Sequence, residues 1–257
     1  MAVRRQRALA LALALAAGVG PAGCDQSGSP EEPPAGGSLQ LVRAVPLAVS
    51  EPSDMCLDRD GEHWWTVSDN TGRVYELRLS DCVAVDTLAY QGVDLEGIWQ
   101  DPADGTLYVT EEGTREIVHL SPAGVELGRV SVDGLGGEVN SGLEGITRGP
   151  VIGRFYVVQE KNPARLVEVD AAGNVLALHG VDYVGDLSGV TYDAGAGQLL
   201  VVSDESQKVC RTSLTGALIS SWSIDVTKAE GLALDTTRGR IYVVSDDEEK
   251  FYEFRLP

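Results

Sequence analysis

"DLEGIWQDPADGTLYVTEE", Asp94 to Glu112, reads as a hairpin: a short strand, a turn introduced by Asp101, and a second strand "LYVT", with carboxylates at both ends. The same pattern returns along the chain. "GLEGITRGPVIGRFYVVQEKNPARLVEV" begins at Gly142, "DLSGVTYDAGAGQLLVVSDESQKVCRT" at Asp186 and "KAEGLALDTTRGRIYVVSDDEEKFYEF" at Lys228, and a weaker copy, "EPSDMCLDRDGEHWWTVSDNTGRVYEL", begins at Glu51. Measured at the residue before the motif glycine (Ser53 in the weaker copy, then Glu96, Glu144, Ser188 and Glu230), successive intervals are 43, 48, 44 and 42 residues. A period of this length, built from short strands, is that of propeller blades.

Each unit continues into a third strand ("RVYELRL", "EIVHL", "RLVEV", "KFYEF") and a fourth ("VELGRVSV", "NVLALHGV", "ALISSWSI"), and the turn of the first hairpin is introduced by Asp58, Asp101, Asp193 or Asp235. The last unit stops at Leu256 after its third strand, while "LQLVRAVPLAV", Leu39 to Val49, precedes the first unit as a strand without a hairpin partner. The expected fold is therefore all-β: a five-bladed β-propeller of four-stranded blades over residues 39–257, its ring closed by the N-terminal strand. A six-bladed ring, the alternative, needs one more unit than these repeats supply.

The balance of 20 Lys+Arg against 39 Asp+Glu, a formal charge of -19, argues against nucleic acid as a partner. Three His are too few for a His-rich transition-metal site, so an oxygen-preferring cation fits the composition better. The first 23 residues read as a lipoprotein signal: Arg4, Arg5 and Arg7, the apolar run "ALALALALAAGVG", then "PAGC", with Cys24 as the lipidated residue and Pro21 in place of the usual Leu. Cleavage by an ordinary signal peptidase, giving a soluble secreted or periplasmic protein, is the alternative. Residues 24–38 read as the lipidated Cys and a flexible tether, "DQSGSPEEPPAGGS". Membrane contact is thus expected through a lipid anchor only, in a bacterial cell envelope. Cys56, Cys82 and Cys210 remain; an oxidising compartment allows one bridge and one free thiol, Cys56 to Cys82 enclosing the shorter loop, and the sequence does not choose the pairing.

The acids at both hairpin ends carry the functional reading. Sixteen residues after each first-strand position stands another acid: Ser53 to Asp69, Glu96 to Glu112, Glu144 to Glu160, Ser188 to Asp204, Glu230 to Asp246. The start of one strand and the end of the next are cross-strand neighbours, so each pair is expected at one rim of the ring. With the first strand innermost, Glu96, Glu144 and Glu230 line the channel mouth as candidate calcium ligands, Ser53 and Ser188 add hydroxyl contacts, and Asp69, Glu112, Glu160, Asp204 and Asp246 stand behind. Converging carboxylates repel, and protonation, hydrogen bonding or a bridging cation must relieve them. A structural reading competes: the second acids cap their turns or pair with the bases that follow within about five positions (Arg73, Arg115, Arg165, Lys208 and Lys250), and the first acids bond backbone amides of neighbouring blades. His63, His119 and His179 share no position in the repeat, Trp64, Trp65, Trp99 and Trp222 are expected between blades, and no nucleophile triad is legible.

"DLEGI", "SGLEGI", "EKNP", "DLSGVTYD", "LLVVSDES", "AEGLALD" and "IYVVSDDEEKFYEF" together resemble the SdiA-regulated (YjiK/CarP-like) propellers of bacterial envelopes, over about residues 40–257; "PSDM" departs from the pattern, with Asp54 where the glycine is expected. The resemblance implies a five-bladed propeller, attachment to or export across a membrane, and a link to calcium. A looser likeness to phytase-like and lactonase-like propellers implies calcium held by Glu96, Glu144 and Glu230, with Lys161, Arg165, Lys208 and Lys250 as rim bases toward a phosphate. Three functions follow as expectations: a calcium-binding envelope propeller with a binding, sensing or calcium-handling role toward a small-molecule or protein ligand at the mouth; a calcium-dependent hydrolase; or a metal-free protein-interaction module.

Overall fold

The computed structural model describes residues 35–136 and 142–257, so the signal segment, Cys24 and residues 25–34 lie outside the described residues. Among the described residues there are 21 strands and no helix. Blade 1 is β3 (Pro52–Leu57), β4 (His63–Ser68), β5 (Arg73–Arg78) and β6 (Ala84–Thr87). Blade 2 is β7 (Leu95–Gln100), β8 (Leu107–Glu111), β9 (Glu116–Leu120) and β10 (Glu126–Ser131). Blade 3 is β11 (Leu143–Arg148), β12 (Arg154–Gln159), β13 (Arg165–Asp170) and β14 (Val175–Gly180). Blade 4 holds β15 (Gly189–Asp193), β16 (Gln198–Ser203), β17 (Lys208–Thr212) and β18 (Leu218–Ser223). Blade 5 holds β19 (Ala229–Asp235), β20 (Arg240–Ser245), β21 (Lys250–Arg255) and, from the other end of the chain, β2 (Gln40–Pro46). The first strands touch in the cyclic order β3, β7, β11, β15, β19 and back to β3, which makes a closed five-bladed propeller with those strands innermost.

Burial explains the sequence pattern of each strand. The second strands, "HWWTVS", "RFYVVQ", "QLLVVS" and "RIYVVS", lie between two neighbouring blades and are buried along nearly their whole length, so they read as continuous apolar runs. The fourth strands face solvent and read as alternating or polar. Five apolar clusters fill the five seams. Trp64, Met55 and Leu77 of blade 1 meet Tyr242 and Phe251 of blade 5; Trp65 and Val67 meet Leu95, Ile98 and Val109 at the next seam; Trp99 edges the cluster around Ile146 and Phe155; and Trp222 packs on the cluster between blades 4 and 5. The four Trp are thus seam fillers, as expected.

Ring closure also follows the expectation, with one addition. β2 pairs antiparallel with β21 from Gln40↔Arg255 to Pro46↔Lys250. The four residues before it, Ala35–Ser38, assigned by composition to the tether, form β1 and pair parallel with β18 as a fifth strand of blade 4. Glycine makes this fit: a Cβ on Gly36 would lie 2.3 Å from Trp222 Nε1, so the strand lies closely over that indole only without a side chain. The three cysteines are free thiols, because they sit in three different seams: Cys82 between blades 5 and 1, Cys56 against the cluster between blades 1 and 2, Cys210 between blades 3 and 4.

The motif glycines let the inner strands approach one another. A Cβ on Gly145 would lie 2.9 Å from Gly189 Cα, and one on Gly231 would lie 2.4 Å from Asp54 Cα, backbone against side chain with no torsion to relieve it. Gly231→Ala is therefore expected to cost about 3 kcal/mol or more, whereas Gly128→Ala in the outer strand β10, where nothing stands within 4 Å, is expected to change little. Denaturant midpoints of the two variants check this; equal costs would mean that the channel wall is not close-packed.

Candidate functional site: the acidic channel mouth

Four of the five inner strands start at the mouth with a β-bulge, β15 of blade 4 pairing with β16 in unbroken register. Pairing of β7 with β8 runs Leu95↔Glu111 and then Gly97↔Thr110, so Glu96 is an extra residue with no opposite number. The same irregularity falls between Pro52 and Asp54, Leu143 and Gly145, and Ala229 and Gly231, which places Ser53, Glu144 and Glu230 at bulges too. The acids are therefore not direct cross-strand partners. Glu112 lies one residue beyond β8, and its amide donates to the Asp94 carbonyl at 2.9 Å; Asp246 repeats this with the Lys228 carbonyl at 3.0 Å. Bulge and loop together still bring both series to one rim.

There they enclose a cavity of about 200 Å³ lined by Ser53, Asp69, Glu96, Glu112, Glu144, Glu160, Glu230 and Asp246, with Lys228 as the ninth residue. Eight of the ten expected rim positions thus converge. Ser188 and Asp204 do not line it but stand next to it: the Ser188 hydroxyl donates to Asp186 at 3.3 Å and also helps to hold the Glu230 carboxylate, and Asp204 lies 3.8 Å from Lys228 Nζ. Ser53 is turned toward the Glu51 carbonyl at 3.4 Å.

Turn capping, the competing role for the second acids, belongs largely to the residue before them. Ser68, Ser203 and Ser245 accept the amides of Thr71, Ser206 and Glu248 through their hydroxyls. Of the acids, Asp69 accepts the amide of Asn70, and Glu112 reaches across to blade 3 to accept the Gly142 amide at 2.9 Å. The following bases are occupied elsewhere: Arg73 donates to the carbonyls of Leu88, Ala89 and Tyr90, Arg165 to that of Leu135, and Lys250 pairs with Glu248. Lys208 opens β17, paired through its backbone with Ser203 and Ser223. Lys161 bridges Glu160 at 2.6 Å and Glu205 at 3.4 Å on the rim. Seven carboxylates in the cavity thus face one lysine of the cavity wall and Lys161 outside it.

The electrostatic consequence is uniform in sign. Burial first, and then the neighbouring carboxylates, push Glu96 and Glu144 well above the usual carboxylate range. Burial raises Glu230 as well, opposed by the Lys228 ammonium 2.9 Å away, and burial raises Asp69. Asp246 is pushed up to about 6 by burial and by Glu230. Its Oδ1 is buried without a hydrogen-bond partner. Glu144 is 9% exposed and makes no hydrogen bond or ion pair with any described residue, so no described backbone amide supplies the structural role that competes with ligand binding.

Residues 38–255 match the sequence profile of the SdiA-regulated family. The chain belongs to that family. Among solved structures, it is similar to Myxococcus xanthus glutaminyl cyclase (TM-score 0.66, 15% identity, 85% of this chain and 97% of that one). A protein of unknown function from Bacteroides caccae (TM-score 0.56, 12% identity, 76% and 70%) and a chain of a nidogen/laminin complex (0.55, 16%, 80% and 76%) are similar too. At these identities the likeness is one of fold. For this SdiA-regulated chain, then, site chemistry rests on its own residues.

Two of those were not singled out by sequence reasoning. Asp94, two residues before Glu96, joins Glu96 and Glu112 in a group whose carboxylate oxygens lie within 4.8 Å of one another, a group able to hold a metal ion. The second is Lys228. Both open a quoted repeat, and their alignment two residues before the mouth position was the available signal. Asp54, in place of the fifth glycine, is buried in the channel wall, where its Oδ2 accepts the Ile98 amide at 2.9 Å and closes the step from blade 1 to blade 2. The His residues are structural: His63 pairs with Asp60, His119 stacks on Tyr108, and His179 meets Glu168.

Proposed function

We propose that this protein is a calcium-binding β-propeller, held at a bacterial envelope membrane by a lipid on Cys24, which acts by binding, in calcium sensing or handling, through its acidic mouth. The observation that carries the reading is Glu144: a carboxylate, 9% exposed, with no hydrogen bond or ion pair to any described residue, in the wall of a cavity that six other carboxylates share. Such a cluster is held together at neutral pH by protons or by a cation, and an all-oxygen donor set selects a hard one. The loose, many-ligand geometry of calcium suits a rim assembled from different blades better than the strict octahedron of magnesium. The anchor is supported by the Arg-rich start, the short apolar run and the "PAGC" sequence. Among the described residues no helix is long and apolar enough to cross a membrane.

The test is thermal melting of the purified full chain in chelator, then in graded calcium or magnesium. The expected result is a saturable rise in midpoint with calcium, weaker with magnesium, and lost in Glu144→Gln. No shift up to millimolar calcium would remove the ion from the reading and return the mouth to architecture. In cells, Cys24→Ala is expected to move the protein from the membrane fraction to the soluble one.

A further inference from the structure

The inner strands have a second end, and its chemistry is unlike that of the mouth. Four residues beyond Ser53, Glu96, Glu144 and Ser188, about 13 Å along each strand, stand Leu57, Gln100, Arg148 and Tyr192. They come from blades 1 to 4 and line a cavity of about 330 Å³, a volume at the lower end of small-molecule sites. Trp99, Thr147 and Thr191 add an aromatic ring and two hydroxyls to its wall, and its charged lining residues are two arginines, Arg59 and Arg148.

Arg148 is held in place by the protein itself. Its guanidinium lies over the Trp99 ring, 4.8 Å from the centroid, and Nη1 donates to Asp101 Oδ2 at 2.5 Å. The remaining N–H groups make no hydrogen bond with any described residue, although the side chain is only 23% exposed. Arg59 makes no ion pair or side-chain hydrogen bond with any described residue; its charge acts on Asp104 of blade 2, a carboxylate that already accepts the amide and hydroxyl of Thr106. In a chain of 39 Asp+Glu and 20 Lys+Arg, that isolation is not for want of acids. Other carboxylates at this end are occupied: Asp58 accepts Trp65 Nε1 and Gln100 Nε2, and Asp193 pairs with Arg211. Thr147 is 3% exposed, and neither its hydroxyl nor that of Thr191 bonds a described residue. A buried hydroxyl ordinarily has a partner.

We infer that this far end of the channel is a binding site for a small organic carboxylate, separate from the acidic mouth and independent of calcium. A guanidinium with uncommitted N–H groups matches a carboxylate in shape and charge. The Thr147 and Thr191 hydroxyls can donate to the same oxygens, and Tyr192 with Leu57 offers apolar surface to the body of the ligand. Charge decides between anions. Asp101 offsets Arg148, so the two arginines leave about one positive charge, which suits a monoanion better than a phosphate dianion.

Saturation-transfer NMR and titration calorimetry on the full chain in calcium-free buffer test this. Benzoate and phenylacetate serve as probes, benzamide and phenylacetamide as their neutral counterparts, and phenyl phosphate as the dianion. Keeping calcium out prevents a carboxylate probe from binding through an ion at the mouth. The carboxylates are expected to saturate, with the amides at least about tenfold weaker, the worth of one charge-assisted hydrogen bond. Arg59→Met and Thr147→Val are each expected to weaken carboxylate binding, as is Arg148→Lys, which keeps the charge and loses the fork; Glu144→Gln at the other end is expected to leave it unchanged. Carboxylates that fail to saturate at millimolar concentration, or that bind no better than their amides, overturn the site. So does binding that Arg59→Met, Arg148→Lys and Thr147→Val all leave unchanged, or that Glu144→Gln abolishes. Tighter binding of phenyl phosphate overturns the choice of a carboxylate. None of these outcomes bears on the calcium reading, which the melting test decides.

Discussion

A chain that starts at Leu47, lacking β1 and β2, is expected to lose cooperative folding altogether. The reason is the position of β2 in the ring, not its size. Six residue pairs bind it to β21, and without them the last blade ends on an open edge beside Phe251, Tyr252 and Phe254. Side chains add to the loss. Arg43 meets Glu253 at 2.5 Å and donates to the carbonyls of Leu79 and Ser80 at 2.7 Å, so β2 ties blade 5 to the end of β5 in blade 1. The intervening Leu39 belongs to the seam between blades 4 and 5. One segment therefore holds three blades, and its removal opens the circle that every other seam depends on. Circular dichroism during heating would show a broad, uncooperative change with aggregation; a sharp transition within a few degrees of the parent protein would mean that the closure is dispensable.

The second large effect is the joint dependence on pH and calcium. In chelator, stability is expected to fall as pH rises. A carboxyl whose folded pKa lies above its unfolded one binds more protons in the folded chain across that interval, so unfolding becomes easier with increasing pH there. Glu96, Glu144, Glu230 and Asp69 are all raised, and Asp246 reaches about 6, so the decline starts near the ordinary carboxylate range and continues through pH 6. Calcium acts in the opposite sense, since it binds the ionised groups and is displaced by protons. At a hundredfold excess over Kd it is worth about 2.7 kcal/mol, roughly 5–10 °C in midpoint for a domain of this size. The calcium-induced shift should thus be largest above pH 7 and vanish near pH 4. Glu96→Gln with Glu144→Gln is expected to flatten both dependences, which melting curves at pH 4.5, 6 and 8 would show. A chelator-treated protein that grows more stable with pH would contradict the raised carboxyls.

The ring was legible because each blade repeats one physical problem. An inner strand that must touch its neighbours needs a glycine, and a second strand buried on both sides needs an apolar run, so "EGI" and "YVV" recur wherever the chain solves it again. Asp58, Asp101, Asp193 and Asp235 were legible for the same reason, and each does accept backbone amides in its turn. Blade 3 carries Gly149 instead, and there Arg148 reaches Asp101 of blade 2 at 2.5 Å. Convergence of the acids was legible from constant spacing, but the route was not. A bulge at Glu96 leaves no mark in composition, and it changes which residue stands opposite Glu111 without altering the count to Glu112. Asp94 and Lys228 were hidden differently: each reaches the mouth from a left-handed backbone position two residues before the repeat's marked one, which neither composition nor the strand pattern singles out. β1 was missed because "AGGS" is compositionally a linker, and only the indole of Trp222 makes those glycines useful.

Locating the ion is the most direct test of the central claim. Crystals of the protein grown in calcium, with data collected at a wavelength where calcium scatters anomalously, should show a difference peak at the mouth within about 2.3–2.6 Å of oxygens from Asp94, Glu96 and Glu112. A mouth filled by water alone at millimolar calcium, or a peak found only elsewhere on the surface, would contradict it.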